Sequence, residues 1–228
     1  MHARAAAAAG VAAVLASAVV TACGSSGSGS NTPLSAPSAS STGCAKPPTT
    51  KPKPQKFPAE PPLAIAKTTY TATIVTNCGT IVAALDGAKA AHTVNSFAFL
   101  AGKHYFDNSI CHRLTTQGIH VLQCGDPTGS GNGDPGYTIP DENLTGATYP
   151  AGALAMANTG EPHTGGSQFF FVYGDTPLPP QYTPFGMVTS GLDVLQKIAA
   201  AGDDGSNGAG DGHPNQPVTI ESFTVVRG

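Results

Sequence analysis

Metal chemistry is the first possibility raised by the chain's titratable side chains. His92, His104, His112, His120 and His163, with Cys44, Cys78, Cys111 and Cys124, could supply ligands. No C-x-x-C or H-x-x-x-H pair accompanies them, and nothing in their spacing supports a metal site. The polar residues that a binding surface could use are Arg113, Gln123 and Gln168, placed around short apolar runs. Taken singly, Arg113 reads as a solvated or salt-bridged surface residue and the two glutamines as ordinary strand positions. Phe169, Phe170 and Phe171 stand in a row, and strand residues alternate between faces. The alternation lets either Phe170 or its two neighbours, not all three, line an outer pocket; Phe170 is assigned to such a site and the flanking pair to the core.

These residues must be positioned by short elements. Thr69 to Val75 alternates as a strand, Asn77-Cys78-Gly79 reads as a turn, and Thr80 to Leu85 returns as a second strand. Thr93 is placed to cap a helix carrying Val94, Phe97, Phe99 and Leu100 at near-helical spacing and ending at Gly102. Further strands are expected at Ile110–Leu114, Ile119–Cys124, Ala153–Ala157, Phe169–Tyr173, Pro184–Val188 and Val218–Val226, with a second helix over Leu192–Ala200. Many short strands, Gly- and Pro-rich connections and two helices favour a closed antiparallel barrel. If Arg113 and Gln123 share a face, Cys111 and Cys124 point to opposite faces and are poor partners. Cysteine pairing is otherwise open, and Cys44 can equally be unpaired.

Four stretches in order carry a family likeness: His112-Arg113-Leu114, Val121-Leu122-Gln123-Cys124-Gly125-Asp126, Ala153-Leu154-Ala155-Met156-Ala157-Asn158, and Gly165-Gly166-Ser167-Gln168-Phe169-Phe170-Phe171. With Phe185-Gly186 after them, residues 68–228 resemble a cyclophilin-type peptidyl-prolyl cis-trans isomerase. The resemblance implies an all-β fold with two helices, a closed eight-stranded antiparallel β-barrel bearing a peptide site on its outer surface. It implies Arg113 and Gln123 as catalytic residues, and His120, Val121, Ala157, Asn158, Gln168, Phe170, Leu178 and Tyr182 as substrate-binding residues. No cofactor is implied, and proline-containing peptides and unfolded exported proteins are the implied partners. The family's usual R-x-x-x-x-F-x-x-Q pattern is stretched here. Two more residues separate Arg113 from Gln123, Leu114 to Ile119 are expected to loop out, and His120 takes the aromatic position beside Arg113. Pro177 stands where the family often has tryptophan.

The N-terminal third reads differently. His2 and Arg4 precede an apolar, Ala-rich run to Ala22, and Val20-Thr21-Ala22-Cys23 resembles a bacterial lipobox. Residues 1–22 are thus expected to be a lipoprotein signal peptide, and Cys23 the acylated residue that anchors the chain to the cell membrane outside the cytoplasm. From 23 to 67 the Ser, Gly, Thr and Pro content predicts a disordered tether. Net charge is −3 with 11% charged residues, giving no electrostatic reason to expect nucleic acid. A monomer is the expectation.

Overall fold

The computed structural model describes residues 43–228; the expected signal peptide, the expected lipidation site Cys23 and the first part of the expected tether lie outside the described residues. The hairpin forms as the turn chemistry requires. β1 (Thr69–Thr76) and β2 (Gly79–Asp86) pair from Thr69↔Asp86 to Thr76↔Gly79 around Asn77-Cys78. Ala72 and Ile74 on β1, with Ile81, Ala83 and Leu85 on β2, fill the interior.

α1 (Ala91–Gly102) ends where expected but begins two residues before Thr93, with no side-chain cap from its own N-cap residue, Ala90. The N–H donors of its first turn are met from a distance. The Glu142 carboxylate accepts from His92 N (3.0 Å), Thr93 N (2.9 Å) and Thr93 Oγ1 (2.9 Å). An anion at this end also suits the helix dipole.

The expected strand at 110–114 is two strands. β3 (Ser109–Ile110) pairs with the last strand, whereas β4 (Arg113–Thr115) pairs with β5 (Val121–Cys124). The chain continues through β6 (Ala153–Met156), β7 (Phe169–Val172), β8 (Pro184–Ser190), α2 (Leu192–Ala200), β9 (Asp211–Gly212) and β10 (Thr219–Arg227). All ten strands belong to one sheet in the order β3-β10-β1-β2-β8-β6-β7-β5-β4-β9. β3 and β4 lie almost at opposite ends of that order but only two residues apart in the chain, so the sheet must curl. No ladder joins β3 to β9 among the described residues. The closed eight-stranded barrel is therefore corrected to an open, curled ten-stranded sheet with two helices. Two-residue β9 was not legible, because nothing in an Asp/Gly-rich run announces a strand.

Two expectations about the cysteines and the tether also change. Cys111 and Cys124 are bonded, and so are Cys44 and Cys78. The alternation argument failed because Cys111 lies outside the β4–β5 ladder, in the crossing between β3 and β4, where the pleat does not dictate its side. Residues 43–67 are not a free tether but lie against the body. Ala45 N donates to Asn77 O and Phe57 N to Pro135 O, each at 2.7 Å. The Phe57 ring meets Phe99 edge-on at 4.9 Å, and the Asn95 side chain donates to the Pro61 and Pro62 carbonyls. Among the described residues no helix is long and apolar enough to cross a membrane.

Candidate functional site

Alternation along β5 and β7 separates core from site. Leu122, Cys124, Phe169 and Phe171 join the interior cluster, while Val121, Phe170 and Val172 form a second cluster on the outer face with Ala153, Ala155 and Tyr149. Phe170 thus faces the opposite way from its two neighbours, as its strand position requires. Leu178, Tyr182, Ala157 and Ile119 pack at the edge of this outer cluster. Phe170 and Tyr182 meet edge to face at 5.6 Å, and Tyr149 Oη donates to Tyr182 O (2.8 Å) and accepts from Tyr182 N (3.0 Å). Val121, Phe170, Leu178, Tyr182, Ala157 and Ile119 give the apolar lining of a pocket of about 410 Å³ that Arg113, Gln123 and Asn158 also line.

β4 and β5 pair Arg113 directly with Gln123. Arg113 Nη1 donates to Gln123 Oε1 at 3.4 Å, and Gln123 Nε2 donates to Gln168 Oε1 at 2.9 Å. Gln168 Nε2 in turn donates to Gly131 O (2.8 Å) and Gly133 O (2.9 Å). Gln168 does not line this pocket; it faces the adjoining one, and its two donors brace a loop. That loop wraps Asp126, which is fully buried and accepts from the backbone N–H groups of Thr128, Ser130, Gly131 and Gly133. Burial alone would raise the Asp126 pKa, but these bonds and the Thr128 hydroxyl outweigh it and hold the carboxyl below its usual range. A Cβ at Gly133 would collide with the Asp126 carboxylate, so this position has room only for glycine.

Of the expected site residues, Arg113, Gln123, Val121, Ala157, Asn158, Phe170, Leu178 and Tyr182 come together in the pocket. His120 does not. Its ring stacks edge-on against Tyr173 at 5.6 Å and its Nδ1 lies 3.3 Å from Asp175 O. Because Val121 points into the pocket, its neighbour turns away and Ile119 takes the place foreseen for His120. The loop accordingly runs from Thr116 to His120, since Leu114 and Thr115 remain paired. Pro177 is exposed.

Sequence reasoning missed Ile119, His213, Asn207 and Asp211. The first three line the pocket. Asp211 binds Arg113 through Nε at 2.8 Å and Nη2 at 2.6 Å. Ile119 was recoverable from alternation; the other three had no signal, as they arrive from about 100 residues away on an Asp/Gly/Asn-rich turn.

An outer-face apolar pocket with a braced arginine on a curled sheet defines the class, and comparison with known proteins agrees. Residues 71–225 match the family described as "Cyclophilin type peptidyl-prolyl cis-trans isomerase/CLD", and the chain belongs to that family. It is 44% identical over 192 residues to the probable peptidyl-prolyl cis-trans isomerase B of Mycobacterium leprae, covering 78% of this chain and 62% of the relative. The corresponding Mycobacterium tuberculosis protein is 44% identical over 187 residues, covering 76% and 60%. The chain thus spans about three fifths of the length of these two relatives. A solved cyclophilin-type isomerase from Cryptosporidium parvum superposes with a TM-score of 0.62 at 28% identity, covering 69% of this chain and 97% of that one.

Proposed function

We propose that this chain is a peptidyl-prolyl cis-trans isomerase that acts on exported proteins from a lipid anchor at Cys23. The observation that carries the catalytic part is a guanidinium held at the rim of an apolar pocket with donors to spare. An X-Pro bond turns slowly because amide resonance opposes it, with a barrier of about 18–20 kcal/mol. No bond breaks, so the catalyst only has to bind the twisted amide more tightly than either planar isomer. Each ~1.4 kcal/mol of that preference is worth about tenfold in rate.

Val121, Phe170, Leu178 and Ile119 offer the proline ring an apolar seat. Twisting localises the lone pair on the prolyl nitrogen, creating an acceptor that the planar amide lacks, and Arg113 can donate to it. Such a bond is charge-assisted and exists only near the transition state, so it raises turnover and not merely affinity. Asn158 sits beside the pocket, held by its Nδ2 donating to Gln181 O at 2.8 Å and its Oδ1 accepting from Gly160 N at 3.1 Å. Its place there suits a role in aligning the substrate backbone. The relatives' isomerase names support the reading, as does a structure of the Cryptosporidium protein in the presence of the dipeptide Ala-Pro.

NMR exchange spectroscopy on an Ala-Pro peptide tests it. The wild-type chain should accelerate exchange between isomers, and Arg113→Ala should lower the rate on the order of 10²–10³-fold, as for loss of a transition-state donor. Peptide binding with no acceleration in the wild type would replace the isomerase by a non-catalytic proline-peptide binder.

A further inference from the structure

Arg113 is gripped from two sides, and only the Gln123 side was legible in the sequence. On the other, β9 pairs with β4 through Leu114↔Gly212 and Thr115↔Asp211. This ladder brings the Asp211 carboxylate onto Arg113, with Nε donating to Oδ1 at 2.8 Å and Nη2 to Oδ2 at 2.6 Å. Arginine has five N–H donors. Asp211 takes two and Gln123 one, which leaves one on Nη1 and one on Nη2. A two-pronged carboxylate fixes the plane of the guanidinium as well as its distance, so it also fixes where those remaining N–H bonds point.

Asp211 is itself held by a built arm, residues 203–213. Asn207 Nδ2 donates to Asp211 Oδ1 (3.1 Å) and Asn207 N to Asp211 O (3.0 Å). Asp204 Oδ1 accepts from Ser206 N and His213 N. The long turn after β4 docks on the same arm, with Thr116 Oγ1 donating to Asp203 Oδ2 (2.6 Å) and Thr116 N to Gly210 O (2.8 Å). The stretched Arg113-to-Gln123 spacing therefore serves as a brace for the arm.

We propose that Asp211 is the positioning residue for Arg113, orienting the guanidinium so that one of its two remaining N–H bonds meets the prolyl nitrogen of the twisted amide. The inference rests on the isomerase reading above. Asp211 touches no substrate in this scheme, so its loss should slow turnover and leave peptide affinity alone.

The test uses the full chain and an Ala-Pro peptide, with Kd and exchange rate measured separately by NMR. Asp211→Asn, nearly isosteric and leaving the arm's backbone bonds in place, should lower the bound-state exchange rate by about tenfold to a hundredfold, the scale of a small misplacement at a reacting centre. Peptide Kd should stay within about twofold. In an Arg113→Ala background, Asp211→Asn should cause no further loss, because a positioning residue has nothing left to position. Asp211→Glu, which keeps the charge, should retain more activity than Asp211→Asn. Equal losses with and without Arg113, or no loss at all, would overturn the assignment. Failure of the isomerase reading looks different, as a wild-type chain with no acceleration or an Arg113→Ala chain with full acceleration.

Discussion

Immediately before Arg113, His112 is only 7% exposed and its ring Nδ1 meets no hydrogen-bond partner among the described residues. Burial pushes its pKa below the usual 6.5; the nearby His213 and Arg113 act in the same direction, and Asp126 opposes them. The unfolded chain therefore binds this proton more readily than the folded one. The associated stability is complete above about pH 6.5 and is lost as pH falls toward the lower folded value. Thermal melts between pH 8 and pH 5 should show Tm declining on the acid side, and His112→Leu, which cannot titrate, should decline less steeply. Parallel curves for the two proteins would rule out His112 as the source. At this scale, much of the site was legible where a rule of geometry applied. Phe170 was separated from Phe169 and Phe171 by the pleat, and Arg113 with Gln123 by the order of motifs. His120 was misplaced because a motif position was followed where the pleat, applied backward from Val121, selects Ile119. Asp211 and His213 were invisible because a contact made across about 100 residues leaves no local pattern.

Among the elements, the segment 43–67 departs furthest from its composition. Averaged over the N-terminal stretch, apolar content is too low for folding, yet the Cys44–Cys78 bond, the Phe57 ring and hydrogen bonds at Ala45, Phe57, Pro61 and Pro62 hold it against the body. The Cys44–Cys78 bond spans 34 residues, and restricting a loop of that length in the unfolded chain is worth about 4 kcal/mol in the chain-entropy account. Replacing both cysteines by serine should lower the unfolding free energy by about 2–4 kcal/mol, read as a shift in denaturant midpoint. Phe57→Ala should cost about 1–3 kcal/mol, less than for a fully enclosed phenylalanine, because Phe57 is half-buried against Phe99 and Tyr105. An unchanged midpoint in both variants would mean that the segment contributes nothing to folding. The same lesson applies to α1 and to the strand at 110–114. Helix and strand content could be read locally, but the Glu142 cap and the split between β3 and β4 are set by parts of the sheet distant in sequence.

For the whole molecule, pinning Cys44 changes what a lipid anchor at Cys23 would permit. From Cys23 to Cys44 the chain is 21 residues, against 45 from Cys23 to Thr68 had all of 23–67 been free. At about 3.3–3.6 Å per extended residue, the maximum reach drops from about 150–160 Å to about 70–75 Å. A proposed membrane-tethered isomerase would then work on chains close to the bilayer surface, where exported proteins emerge unfolded. The anchor and the site are separable in this arrangement, since none of the pocket residues precedes His112. Expressed in a bacterium that processes lipoproteins, the wild-type chain should sediment with membranes, and Cys23→Ser should move to the supernatant fraction after membranes are pelleted. Exchange of a free Ala-Pro peptide should be equally fast with either protein. Retention of Cys23→Ser in the membrane pellet would instead assign the attachment to the apolar run ending at Ala22, acting as an uncleaved span.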